Sequence, residues 1–286
     1  MENATSPSTE AESNSFRVTR RATHGEVTET KSLRELMDGW HDGKERWLFI
    51  APHDDDIVMG AGLLLQAALA EGVDVSVLIT TDGSMGYCEL EDRDSIRSIR
   101  QKETRESFRI IGVQDVSWLN FPDCNLTPYL GRRAAKGEGP HVVEGFTGLQ
   151  NAYTYELRRR MPTRVFLASG NDLHPDHKLV YQEARVSIFH AGGAIWPELG
   201  TPLRELPTLY ELAIYCAFPE APDYLIEGTP DHLETKLEAI AAYRSQKQID
   251  RLVERLREAG AVEYLRISDF SLYSPSIYRH LFQSEG

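Results

Sequence analysis

The sequence predicts an α/β protein, with a mostly parallel sheet, helices on both faces and a ligand site beyond the carboxyl ends of the strands. Two observations carry this expectation. Short apolar runs of strand length alternate with longer segments at helical spacing, the pattern of strand–helix–strand crossovers. The two stretches densest in histidine and aspartate, residues 53–56 and 174–177, each follow such a run, where open α/β sheets bind their ligands.

The elements follow in order. Residues 1–30 are rich in Ser, Thr and Glu and read as a disordered or loosely attached tail, with 31–286 as one domain. "SLRELMDGW" suits a short helix. The run Trp47–Ala51 is wholly apolar, as a strand buried on both faces requires. "IVMGAGLLLQAALAEG" reads as a mostly apolar helix stopped at Gly72. "VDVSVLITTDGS" is the next strand, "DSIRSIRQKETRESFRIIG" an amphipathic helix closed by Gly112, and "VSWLNF" a further strand. The Gly-rich section 123–148 has the length of a lid or binding loop. After it come a helix "LQNAYTYELRRRM", a strand "RVFLAS" and a loop "GNDLHPDH". "TLYELAIYCAFP" and "DYLIEG" read as strands, and "HLETKLEAIAAYRSQKQIDRLVERLREAG" as one long charged helix.

Composition narrows the function. The formal charge of −13 argues against nucleic acid, which needs a basic face, and against an anionic membrane surface. Cys88, Cys124 and Cys216 are scattered without CxxC spacing, as reduced thiols of a cytoplasmic protein would be. No run is apolar enough to span a bilayer or act as a signal peptide.

"WLFIAPHDDDIVMGAG" sets three adjacent carboxylates against a buried strand, and their repulsion is unfavourable unless positive charge sits among them. A helix N-terminus supplies some, because Asp suits the N-cap and first turn. Likewise Asp176 in "LHPDHKLV" could simply cap a helix beginning near His177. Taken together, the two clusters can supply His53, Asp56 and His177, the last from a surface loop, to one metal ion. Two imidazoles and a carboxylate leave room for water and substrate and suit Zn²⁺, with another divalent ion such as Fe²⁺ also compatible. Zinc lowers the pKa of bound water to about 7. Asp55 can then take a proton from that water, and His174 can face the developing oxyanion. Asp176 can hold His174 in one tautomer and favour its charged form.

"PHDDDIVMGAG" together with "HPDH" resembles the LmbE-like, or PIG-L, de-N-acetylase family, whose usual motifs read HPDDE and HPDH or HxxH. "TDGS", "RQKE", "FPD" and "KLEAIAAYRSQ" extend the resemblance over most of the chain. It implies a Rossmann-like fold and zinc-dependent removal of an acetyl group from a small N-acetylated sugar or glycoconjugate. It assigns the metal to His53, Asp56 and His177, general-base duty to Asp55, and oxyanion or leaving-group assistance to His174. Arg100 would reach the substrate and Asp123 would lie near the sugar. Homo-oligomers are common in that family. Two departures stand out: Asp54 replaces the family Pro and Ile57 the family Glu. Neither removes a ligand or the base, although losing the Glu could weaken support of the metal ligands.

Two other classes share parts of this pattern. A non-haem iron oxygenase also uses two His and one carboxylate, and His53-x-Asp55 has usable spacing, but it expects a β-rich chain. A non-catalytic sugar-binding protein of the same fold would have no need of Asp55 and His174.

Overall fold

The computed structural model describes residues 15–22, 25–268 and 273–282. Its N-terminal part is a hairpin, β1 (Arg17–Arg21) and β2 (Val27–Thr30), followed by a short helix α1 (Leu33–Leu36). Then come β3 (Arg46–Ala51), α2 (Asp56–Ala70), β4 (Asp74–Thr81), α3 (Ile96–Ile111) and β5 (Asp115–Phe121). A two-residue pair, β6 (Arg133–Ala134) and β7 (Phe146–Thr147), interrupts the long loop before α4 (Leu149–Arg160). The remainder is β8 (Arg164–Ala168), α5 (Pro175–Gly192), β9 (Thr208–Leu212), β10 (Tyr224–Glu227), α6 (Pro230–Ala241), α7 (Ile249–Ala259) and β11 (Val262–Ile267).

Five strands, in the order β9–β8–β3–β4–β5, run parallel and form the half of the sheet that carries the site. β3 lies at its centre, which explains its uninterrupted apolar sequence. Trp47, Phe49 and Ala51 join one core with Leu64, Phe108 and Tyr243, while Leu48 and Ile50 join another with Leu149, Tyr153 and Ile188. Successive side chains thus feed opposite faces, as the pleat demands. α3 ends where Gly112 turns left-handed at φ 99°, the stop expected from its sequence.

The other half of the sheet differs from expectation. β11, β10, β1 and β2 extend it antiparallel from β9, so the nine strands make a mixed sheet. Residues 17–30, read from sequence as part of a loose tail, supply its edge; residues 1–14 and 23–24 lie outside the described residues. An antiparallel strand can bury one face only, and Val18 supplies the buried contact of β1, so a polar composition did not exclude it. The expected strand from 208 to 219 ends at Leu212, and β11 had no strand-like run to announce it. The single long helix over 232–260 is two, α6 and α7, separated by a turn. In that turn Tyr243 Oη donates to Asp54 O (2.6 Å), Ser245 N–H to Glu103 (2.9 Å) and Gln246 Nε2 to Gly86 O (2.8 Å). These long-range bonds override the local helical preference. No helix among the described residues is long and apolar enough to cross a membrane.

At the amino ends of the parallel strands, away from the site, Arg164 of β8 is 1% exposed with Nε 3.1 Å from Glu45 Oε2. Glu45 also accepts from Trp47 Nε1 (2.7 Å), Thr163 Oγ1 (2.8 Å) and His41 N–H (2.8 Å). Burial alone would raise the Glu45 carboxyl; these donors and Arg164 outweigh it and hold it below its ordinary value. Glu45→Ala should therefore strand a buried guanidinium and lower stability by about 3–5 kcal/mol in urea denaturation. Because the folded pKa is depressed, the carboxylate's contribution is complete above the unfolded glutamate value near ~4.3. It is lost as pH falls through the folded value. The acid-side loss of stability should shrink in Glu45→Ala; an unchanged acid profile would assign it to other groups.

Candidate metal and catalytic site

β3 and β8 are hydrogen-bonded neighbours, so the loops leaving their carboxyl ends bring residues 53–56 and 172–177 together. Asp56, 0% exposed at the start of α2, lies between two imidazoles. Its Oδ2 accepts from His53 N–H (2.8 Å) and lies 3.3 Å from His53 Nδ1, while Oδ1 lies 3.2 Å from His177 Nε2. His174 completes the group, its ring centroid 4.5 Å from that of His53 and 5.3 Å from that of His177. Ligand atoms of His53, His174 and His177 lie within 4.8 Å of one another, as do those of His53, Asp123 and Asp176.

These residues fit a divalent cation. Asp56 Oδ1 and His177 Nε2 are buried and have no hydrogen-bond partner, although only 3.2 Å separates them. A tetrahedral ion with bonds of about 2.0–2.2 Å spaces its ligand atoms by roughly 3.3–3.6 Å, close to that gap. Charge points the same way. Asp54, Asp55, Asp56, Asp123, Asp172 and Asp176 are all buried around a single buried guanidinium, Arg100. In the metal-free protein burial opposes ionisation of Asp56, but His177 and His53 hold its carboxyl far below the usual range. Burial likewise opposes the charge on His53, yet Asp56 and Asp123 pull its pKa well above the ordinary value. The repulsion posed by three adjacent aspartates is thus met mainly by imidazoles and by Arg100.

Each residue named from sequence has a definite place. Asp55 occupies the N-cap position of α2 but makes no side-chain cap; its Oδ1 lies 3.2 Å from Arg100 Nη2. Burial raises the Asp55 carboxyl, and Arg100 opposes that rise without cancelling it. Asp54 turns away from the imidazoles toward α3, and Ile57 is an ordinary core residue. Asp123 touches His53, with Oδ1 3.3 Å from Nε2, and its Oδ2 accepts from Met85 N–H at 3.0 Å.

Two placements correct the sequence reading. His177 is not in a surface loop: it is fully buried in the first turn of α5, because that helix starts at Pro175. Nor does the Asp176 carboxylate hold His174. His174 is itself the N-cap of α5, and its Nδ1 accepts the Asp176 backbone N–H at 3.2 Å. The first-turn geometry directs that N–H at the cap and sends the carboxylate elsewhere. Asp176 Oδ2 accepts from Cys124 N–H (3.0 Å) and lies 3.5 Å from His53 Nε2. Burial, followed by the neighbouring His53 and His177, lowers the His174 pKa below its ordinary value. With Nδ1 accepting that N–H, the neutral ring carries its proton on Nε2.

One residue was missed. Asp172 is buried with Oδ2 3.2 Å from His177 Nδ1, and it accepts from Tyr215 N–H (3.1 Å) and His174 N–H (3.2 Å). A carboxylate on the far nitrogen of an imidazole orients the ring. Its signal was the acid two residues before "HPDH". Met85, Tyr215, Gln246 and Gln248 join His53, Asp55, Arg100 and His174 around a cavity of about 130 Å³. From the long loop only Asp123 and Cys124 reach it; residues 133–147 border a different cavity.

An α/β sheet with a His/Asp cluster at its strand ends defines a class of metal-site proteins, and comparison with known proteins narrows it. The family model for GlcNAc-PI de-N-acetylase, PIG-L, matches residues 48–188, which include every aspartate and histidine of the cluster. The chain belongs to this PIG-L, or LmbE-like, de-N-acetylase family. Diacetylchitobiose deacetylase of Thermococcus kodakarensis is 37% identical over 83 residues, a segment spanning 29% of this chain and 31% of that protein. A probable N-acetyl-alpha-D-glucosaminyl L-malate deacetylase 2 of Bacillus anthracis is 26% identical over 79% of this chain and 94% of its own length. The structure of N,N'-diacetylchitobiose deacetylase from Pyrococcus horikoshii, complexed with its inhibitor MPG, is similar with TM-score 0.64 and 26% identity. It covers 83% of this chain and 86% of that one.

Proposed function

We propose that this protein is a metal-dependent hydrolase that removes the acetyl group from an N-acetylated amino sugar or its conjugate. The observation that carries the reading is Asp55. It borders the cavity beside the metal donors, makes no side-chain cap to its helix, and has a carboxyl raised by burial. A carboxylate in that position is suited to proton transfer rather than to structure. Membership of the family supports the amide substrate, as do the names of the relatives.

His53, Asp56 and His177 would hold the ion. His177 is favoured because Asp172 occupies its Nδ1 and leaves Nε2 facing Asp56. His53 is supported in the same manner by Asp123 and Asp176. A bound zinc-like ion supplies Lewis acidity and a nucleophile at neutral pH. Asp55 takes the proton of the attacking water and returns it to the departing amine. His174 offers its Nε2–H, as a neutral donor, to the oxygen on which charge develops. Arg100, along the cavity wall, contacts the sugar. The test is acetate release from N-acetylglucosamine and N,N'-diacetylchitobiose with zinc, and again after chelation. No release from either sugar, with metal bound, would count against the reading.

His174→Ala should retain the ion and change KM little, while kcat falls by roughly 10²–10³. Asp176→Asn should act differently, because its carboxylate serves His53 and Cys124. Metal affinity should weaken about 10–100-fold with turnover at saturating metal largely retained. A metal titration of both variants separates these effects; unchanged turnover in His174→Ala would remove that imidazole from the reaction.

A further inference from the structure

Asp54 stands where the family motif has proline, and its surroundings suggest what the replacement does. The side chain is buried, and Oδ1 accepts from Thr104 Oγ1 of α3 and from Trp118 Nε1 of β5, both at 3.0 Å. Oδ2 lies 3.2 Å from Arg100 Nε. Neither of these two atoms has a hydrogen-bond partner among the described residues, so the ion pair between them is what compensates their burial. Arg100 is 4% exposed, borders the cavity, and places Nη2 3.2 Å from Asp55 Oδ1. Its guanidinium is therefore held at two of its nitrogens by two consecutive aspartates.

The strand-to-helix connection after β4 is shaped to this pair. A Cβ on Gly83, which has φ +67°, would come within 2.6 Å of Asp54 Oδ2, and one on Gly86 within 1.9 Å of Arg100 Nη1. Only bare backbone can close so tightly over both partners. An arginine on a flexible stem otherwise has many rotamers. Facing Asp55 alone, its fork would turn to grip that carboxylate with two parallel bonds. With the Nε edge committed to Asp54, a single terminal nitrogen faces Asp55.

We propose that Asp54 is a positioning residue: it fixes Arg100 so that the guanidinium faces the bound sugar without closing on the Asp55 carboxylate. This rests on the de-N-acetylase reading above. The experiment is a double-mutant cycle of Asp54→Asn and Arg100→Ala on the full chain loaded with zinc. Zinc content, the Kd for N-acetylglucosamine by calorimetry, and kcat and KM for acetate release from the same sugar are measured. Asn keeps an oxygen for Thr104 and Trp118, so the fold should persist, and a melting curve checks it. Asp54→Asn should leave zinc content unchanged and weaken Kd and kcat/KM about tenfold, mostly through KM. With Arg100→Ala already present it should have no further effect. An equal penalty in both backgrounds, or lost zinc in Asp54→Asn, would overturn the inference and make Asp54 a support of the fold or of the metal. If the wild-type protein binds the sugar yet releases no acetate, the deacetylase reading fails, and the Kd cycle alone decides the role of Asp54.

Discussion

His177→Ala is expected to lower bound divalent metal from about one ion per chain to background and to abolish acetate release. The imidazole contributes the nitrogen opposite Asp56 Oδ1, from the first turn of α5. Alanine suits the first turn of a helix, but the lost ring is fully buried and Asp172 loses one of its partners. The metal-free variant should therefore be less stable than the metal-free wild type by about 1–3 kcal/mol. Metal content by mass spectrometry is read beside a denaturation curve, so that loss of ligand and loss of fold are told apart. Full occupancy in a folded His177→Ala protein would show the ligand assignment to be wrong, with His174 the first replacement to try.

Asp55→Asn and Asp56→Asn change one atom each on adjacent residues, and opposite outcomes are expected. Asp55 borders the cavity, and its carboxylate is paired with the Arg100 guanidinium rather than with an imidazole. Its replacement should leave the ion bound and lower kcat by roughly 10²–10⁴, the range for removal of a general base. Asp56 lies between His53 and His177, so its amide should weaken metal binding before anything else. Turnover of Asp56→Asn should recover partly at high zinc, while that of Asp55→Asn should not. Equal metal loss in the two variants would contradict the separate roles.

Legibility in the sequence followed burial. β3 and β8 are covered on both faces, so beyond their first residues, Arg46 and Arg164, their runs are apolar and could be read directly. β1 carries Arg17 and Arg21 exposed, and β11 sets Glu263 on its buried face against Lys236, so composition concealed them. The α6–α7 break was hidden for a different reason: its cause lies at Asp54, Glu103 and Gly86, far away in sequence. The candidate metal donors were legible because each cluster is local, four residues long and placed just after a strand. Their mutual orientation was not. A separation of two residues lets Asp176 meet His174 through its carboxylate or its peptide N–H, and only the start of α5 at Pro175 decides between them.

The turn between α6 and α7 has a consequence for how such a protein can diversify. Gln246 and Gln248 help wall the cavity, and Tyr215 adds to it from the stretch after β9, whereas every candidate metal donor lies between residues 53 and 177. Chemistry and shape are therefore written in separate parts of the chain. Exchanging two glutamines near the C-terminal end could retune which molecules enter while the reactive centre stays untouched. A lineage could thereby explore new substrates through mutations at positions that are not themselves candidate metal donors.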